Sequence, residues 1–168
     1  MKLWRLSNTG LFFANSIDYR KNSFVIEMME KSSFFRVERV YIHLTYNCNL
    51  GCEYCYNRDK LNKGKEVLQI EDWEKVLDKF EGEKKPIITM TGGEPTLYPR
   101  FNEFVSLAYS RGFSLELLTN GTTLHKLPDE SIQKISNYII SLDSLDVTKT
   151  KRKNSQNYNI LENILELK

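Results

Sequence analysis

The 168 residues are 40% hydrophobic, 12% aromatic and 27% charged, with 24 Lys and Arg against 22 Asp and Glu for a net charge of +2. Such a chain buries a core, which excludes wholesale disorder, and its near balance of charge gives no general attraction to nucleic acid or an anionic membrane. No apolar run is long enough to span a bilayer and the Met1-Lys2-Leu3-Trp4-Arg5 start lacks a secretory signal, so the expected location is cytoplasmic, with neither nucleic acid nor membrane as partner.

Residues 1–38 read as short strands and turns, with apolar runs at Leu11-Phe12-Phe13-Ala14 and Phe24-Val25-Ile26. They carry no interpretable motif and are expected to form a short β-rich N-terminal extension to a core over residues 39–168. From Val40 the pattern is regular. Val40-Tyr41-Ile42-His43-Leu44-Thr45 predicts a strand by its β-branched and aromatic content, and a loop with all three cysteines follows. Ile70, Trp73, Val76, Leu77 and Phe80 recur at helical spacing. Pro86 to Thr91 predicts a second strand, which runs into Gly92-Gly93. Phe101, Phe104, Val105 and Ala108 mark a second helix, with Gly112 as its C-cap. Ser114 to Thr119 predicts a third strand, ending at Asn120-Gly121. Pro128 and Asp129 open a short helix through Ile135. Tyr138 to Asp143 predicts a fourth strand, and Ile160, Leu161, Ile164 and Leu165 a last amphipathic helix.

Strands alternating with helices imply an α/β fold of parallel β/α units, whose chemistry sits at the C-terminal ends of the strands. Glycines and polar residues collect at those ends here. The basic run Lys149-Thr150-Lys151-Arg152-Lys153 is expected to be a solvated loop, with contact to an anionic ligand as the alternative.

Cys48, Cys52 and Cys55 are spaced C-x3-C-x2-C on one tight loop, where Gly51 eases the turn. An odd, clustered set is a poor disulfide framework and suits a metal better. Structural zinc takes four protein ligands, and only His43, inside a strand, or the distant His125 would complete them. A [4Fe–4S] cluster takes one thiolate per iron, so three cysteines leave one iron open to an exogenous ligand.

Cys48-Asn49-Leu50-Gly51-Cys52-Glu53-Tyr54-Cys55-Tyr56 resembles the cluster loop of the radical S-adenosylmethionine (SAM) superfamily. Thr91-Gly92-Gly93-Glu94-Pro95 resembles its GGEP motif, Leu118-Thr119-Asn120-Gly121-Thr122 its TNG segment, and Ser141-Leu142-Asp143-Ser144 its S-L-D segment. The four occur in order, each at a predicted strand end, and the resemblance covers residues 40–168. It implies that Cys48, Cys52 and Cys55 hold the cluster and that SAM binds the fourth iron. Reductive cleavage of SAM then gives a 5′-deoxyadenosyl radical that takes hydrogen from a substrate. It also implies an electron donor such as flavodoxin or ferredoxin.

The resemblance further assigns Tyr54 to the adenine, Gly92 and Gly93 to the methionyl amino group, and Ser141 to the ribose or methionyl part of SAM. Glycines without side chains let a ligand approach the backbone. Glu94 is either a ligand contact or a buried organiser of its turn, and Asn120 either caps its turn or faces the cofactor. On the fourth strand Asn137, Ile139, Ser141 and Asp143 share one face, and Tyr138, Ile140 and Leu142 the other. The apolar set is expected to face the helices, which places Ser141 and Asp143 toward the lumen. Asp143 then touches SAM or substrate, the alternative for both being turn caps. Glu116 is either a substrate-facing carboxylate or solvent-exposed, and His43 is expected to be a satisfied core residue.

A β/α unit takes ~31 residues, so residues 40–168 hold about four units of a TIM-type barrel. The radical SAM core has six. The fourth strand is therefore expected at an exposed edge that the N-terminal extension, a second copy or another chain would cover, and a truncated product is equally open. The loop resembles most the branch of peptide-modifying maturases and of the cyclase of molybdenum-cofactor synthesis, which points to a peptide or protein substrate. The alternatives are a glycyl-radical-enzyme activase and a catalytically incomplete cluster-binding module that needs a partner chain.

Overall fold

The computed structural model describes residues 37–64, 68–82, 84–144, 150–154 and 159–165. Residues 1–36 of the expected N-terminal extension lie outside them. The elements run β1 (Arg39–Thr45), β2 (Gly51–Cys52), α1 (Ile70–Asp78), β3 (Ile87–Gly92), α2 (Phe101–Ser110), β4 (Leu115–Thr119), α3 (Asp129–Lys134), β5 (Asn137–Ile140), β6 (Arg152–Lys153) and α4 (Ile160–Leu165).

Four strands form one parallel sheet in the order β1-β3-β4-β5, with helical crossovers between β3, β4 and β5. Ile42, Met90, Leu117 and Tyr138 stand side by side in register. They belong to one apolar core with Trp73, Val76 and Leu77 of α1 and Phe101, Phe104, Val105 and Ala108 of α2. Trp73 meets Phe104 edge to face, with ring centroids 5.3 Å apart. Truncating a fully buried phenylalanine such as Phe104 costs about 3–5 kcal/mol, so this face fixes how the strands stack on the helices.

The next row in register, Tyr41, Thr89, Glu116 and Asn137, belongs to the opposite face. Glu116 is buried and paired. It accepts from Thr89 Oγ1 at 2.9 Å and Asn137 Nδ2 at 2.8 Å, and it forms an ion pair with Arg39. The expected solvent exposure of Glu116 does not hold, because a carboxylate on this face at the start of the strands is paired from within the sheet.

The fourth expected strand is shorter than its apolar pattern. β5 ends at Ile140, and Ser141 adds one further backbone bond to Thr119 O at 2.9 Å. Within β5 the predicted alternation holds, since Tyr138 and Ile140 pack on the core while Asn137 and Ile139 are exposed. Leu142 lies past the strand and is exposed rather than facing the helices. β5 is an edge of the described sheet, and Ile139 on it is 41% exposed.

Candidate cluster and cofactor site

The four motifs meet at the C-terminal edge of the sheet. The β1–β3 register slips by one residue between His43 and Thr45, where β1 hands over to the cysteine loop. That loop crosses directly over the Gly92-Gly93 turn. Gly93 N–H donates to Thr45 O at 2.8 Å, and Glu94 N–H to Asn47 O at 2.8 Å. Gly92 has φ +138°, and a Cβ there would collide with the Thr45 carbonyl oxygen; one on Gly93 would meet the Asn47 carbonyl. The sequence reading left this space to a ligand. On the side where a Cβ would stand, the chain's own backbone is already in place, so the fold requires these glycines whether or not a ligand also approaches them.

Asparagines hold the rest of the loop. Asn62, at φ +54°, accepts from Cys48 N–H through Oδ1 and donates to Cys48 O through Nδ2, both at 2.9 Å. Asn57 is buried and donates to Gly92 O at 3.1 Å. Asn49 donates to Thr122 Oγ1 at 2.7 Å. None of the three is among the site residues expected from the sequence. The one local signal, the turn residues Asn62-Lys63-Gly64, does not show what the Asn62 side chain holds.

The three cysteines are free thiols, each partly buried. Burial pushes the Cys48 thiol above its usual value, and that of Cys52 likewise, where the Arg152 guanidinium pulls back. Loading a metal must therefore displace protons. Among the described residues, no group of three or more His, Cys, Asp or Glu converges to hold a single ion. Three free thiols on one loop are a donor set of the kind a four-iron cluster takes, one thiolate per iron. Two N–H groups already point at the Cys48 sulfur, Leu50 N at 3.5 Å and Asn120 Nδ2 at 3.9 Å.

Glu94 is fully buried. Its carboxylate accepts from Thr96 Oγ1 at 2.6 Å, Thr119 Oγ1 at 2.8 Å and Asn120 N at 2.8 Å. Burial pushes its pKa up, and the donors from Asn120, Thr96 and Thr119 oppose that. This is the geometry of a turn organiser that ties the end of β3 to the end of β4. Asn120 is 8% exposed and caps its own turn, its Oδ1 accepting from Thr122 N at 3.0 Å, while its Nδ2 faces the cysteine loop.

Tyr54 is 53% exposed and donates to Asp143 Oδ1 at 2.6 Å. Arg152 Nε reaches the same oxygen at 2.7 Å, and its guanidinium carbon lies 5.9 Å from the centre of the Tyr54 ring. Burial opposes ionisation of Asp143, yet the hydrogen bonds from Tyr54 and Arg152 hold its carboxyl below the usual range. Burial and the bond to Asp143 keep the Tyr54 phenol protonated far above neutral pH. β2 pairs antiparallel with β6, Cys52 opposite Arg152, and Glu53 N–H donates to Lys151 O at 3.2 Å. The basic run is therefore only in part the solvated loop expected: Lys151 and Lys153 are exposed, while Arg152 is not. Lys149 lies outside the described residues, but Arg152 is 8% exposed and locked against the cysteine loop. Ser141 sits half-buried at the end of β5, beside this clasp in sequence.

His43 is half-buried between the rings of Tyr46 and Tyr56, at 5.8 and 6.2 Å. Its Nδ1 is buried with no hydrogen-bond partner among the described residues, so it is not the satisfied core histidine expected. Burial lowers its pKa, and Lys60 adds to this.

Among the described residues, no helix is long and apolar enough to cross a membrane. The Radical SAM superfamily matches residues 42–168. A probable GTP 3′,8-cyclase of Pyrococcus abyssi is 32% identical over 133 residues, covering 77% of this chain and 42% of that protein. The sporulation killing factor maturation protein SkfB of Bacillus subtilis is 33% identical over 112 residues, covering 64% of this chain and 26% of that protein. The crystal structure of Streptococcus suis SuiB bound to precursor peptide SuiA shares the fold, with TM-score 0.59 and 20% identity, covering 89% of this chain and 35% of that one. The chain thus spans less than half the length of these relatives. With the cysteine loop, the GGEP turn and the two later strand ends assembled at one edge of a parallel sheet, and the family matched from the first strand to the last residue, the chain belongs to the radical SAM superfamily.

Proposed function

We propose that Cys48, Cys52 and Cys55 hold a [4Fe–4S] cluster and that the chain forms the SAM-binding part of a radical SAM enzyme. The carrying observation is three free thiols on one loop, clamped over the C-terminal edge of the sheet, with no fourth cysteine in the sequence. Held by these thiolates, the cluster would supply the single electron for reductive cleavage of SAM, the source of a 5′-deoxyadenosyl radical for hydrogen abstraction.

The chain's own residues position these groups. The Gly92-Gly93 backbone lines the methionyl end, and Glu94 shapes that turn from beneath without touching SAM. Ser141 hydrogen-bonds the ribose or methionyl part. Tyr54, half-exposed beside Cys55, covers the adenine, and Asp143 holds the Tyr54 ring in place through its hydroxyl. A flavodoxin or ferredoxin supplies the electron.

The substrate we favour is a peptide or protein, supported by the 33% identity to the SkfB maturation protein. One observation favours a second reading, a cluster-binding module that needs further polypeptide: β5 leaves Ile139 exposed at the sheet edge. Anaerobic reconstitution should give about four irons per chain and absorbance near ~400 nm. Cys52→Ala should lose both. SAM and dithionite should then yield 5′-deoxyadenosine from the reconstituted chain. A loaded cluster without that product supports the module, and one zinc with no iron overturns the cluster assignment.

A further inference from the structure

We propose that Asn120 is a positioning residue for the cluster, whose side-chain N–H bonds the Cys48 sulfur and raises the cluster's reduction potential. The inference rests on the cluster reading above and adds a role for one side chain.

The Asn120 amide has two acceptor positions on Oδ1 and two hydrogens on Nδ2. Both acceptor positions are filled from within the turn, by Thr122 N–H at 3.0 Å and Thr122 Oγ1 at 2.7 Å. The backbone N–H of Thr122 only donates, so the oxygen must be the atom facing it, which fixes the amide against a flip. The nitrogen is thereby turned toward the cysteine loop. One hydrogen goes to Asn49 Oδ1 at 3.0 Å, and the Cys48 sulfur lies 3.9 Å from the same nitrogen. The Asn120 backbone is held as firmly, its N–H bonded to the buried Glu94 carboxylate at 2.8 Å. Asn120 is 8% exposed, so little water competes for the remaining hydrogen.

An N–H donor on a ligating sulfur stabilises the more negative, reduced cluster, and such bonds are among the determinants of iron–sulfur potentials. Asn49 ties the donor to the loop, since the residue next to Cys48 in sequence accepts from the same amide.

The test uses the reconstituted full chain without SAM. Asn120→Ala removes the donor without adding charge. It should retain about four irons while its reduction constant falls three- to tenfold, the latter being about 59 mV for one electron. Asn120→Asp keeps the shape and adds negative charge, and should fall further. A full iron load with an unchanged constant in Asn120→Ala overturns the proposal while leaving the cluster reading intact; failure of the wild-type chain to load iron overturns the cluster reading itself. A wild-type measurement guards against a variant that does not fold. With asparagine labelled with 15N only in the side-chain amide, pulsed EPR of the reduced cluster should show a weak 15N coupling, and its absence overturns the proposal.

Discussion

The Tyr54 hydroxyl donates to the Asp143 carboxylate at 2.6 Å across a sequence separation of 89 residues, and Arg152 Nε reaches the same oxygen at 2.7 Å. This contact joins the cysteine loop to the segment that follows β5, with the β2–β6 pairing as its backbone counterpart. Asp143→Ala leaves Arg152, 8% exposed, without its acid. We expect a loss of about 2–3 kcal/mol in urea unfolding, against less than about 1 kcal/mol for Tyr54→Phe, because the Tyr54 ring is half in water. Equal losses would show that Arg152 does not depend on Asp143.

The same clasp predicts an acid response. The Asp143 pKa is lower in the folded chain than its ordinary value near ~3.9, so the stability it contributes is complete above that value and is lost as pH falls through the lowered one. The stability difference between wild type and Asp143→Asn should be constant toward neutral pH and shrink below about pH 4. Urea midpoints across that range check it, and a difference that grows on acidification would refute the assignment.

Gly92→Ala should cost about 2–4 kcal/mol, since φ is +138° and the new Cβ meets the Thr45 carbonyl. Gly112, with φ +78° and open space around it, isolates the backbone cost alone, about 1 kcal/mol for Gly112→Ala. Only Gly92→Ala should also reduce iron uptake, because Thr45 leads directly into the loop that carries Cys48. Denaturation and iron analysis of the two variants make the comparison.

Glu94→Ala removes the common acceptor of Thr96, Thr119 and Asn120 and should destabilise by about 3 kcal/mol. Glu94→Gln keeps one carbonyl acceptor and should lose less. If Glu94 also contacted SAM, Glu94→Gln would lose SAM affinity beyond its stability loss, which calorimetric titration of the reconstituted chain would register.

Glu116→Ala should cost about 2 kcal/mol, because Arg39 and Asn137 lose their acceptor at the start of the strands. Replacing both charges, Arg39→Met with Glu116→Leu, should return to within about 1 kcal/mol of wild type. Thermal unfolding of the single and double variants tests this, and a double variant as weak as the single one would mean that the polar row does more than neutralise itself.

Much of the fold was legible because its signals are local. The apolar periods that predicted the β/α order are the ones that now form the core, as with Ile42, Met90 and Leu117. The expected strand runs three residues past the end of β5 because Tyr138, Ile140 and Leu142 keep an apolar alternation going, and nothing in that alternation records that the ladder to β4 stops after Ile140. Glu116 was ambiguous for a related reason. A carboxylate in mid-strand is costly alone and harmless with Arg39 beside it, and Arg39 lies 77 residues earlier in the chain.

The amino-acid sequence by itself determined the family, since thiolate spacing, paired glycines and short strand-end motifs are contiguous and carry their chemistry wherever the chain folds. It also determined that the four motifs lie at strand ends, because strand period and turn residues are set within a few positions. Only the tertiary structure decided what those motifs do for one another. It placed the glycines under the loop backbone, closed Glu94 inside its turn, turned the Asn120 amide toward Cys48 and folded Arg152 onto Tyr54 and Asp143. Each of these is a contact between segments distant in sequence, where hydrogen-bond direction and steric fit exist only once the strands are side by side.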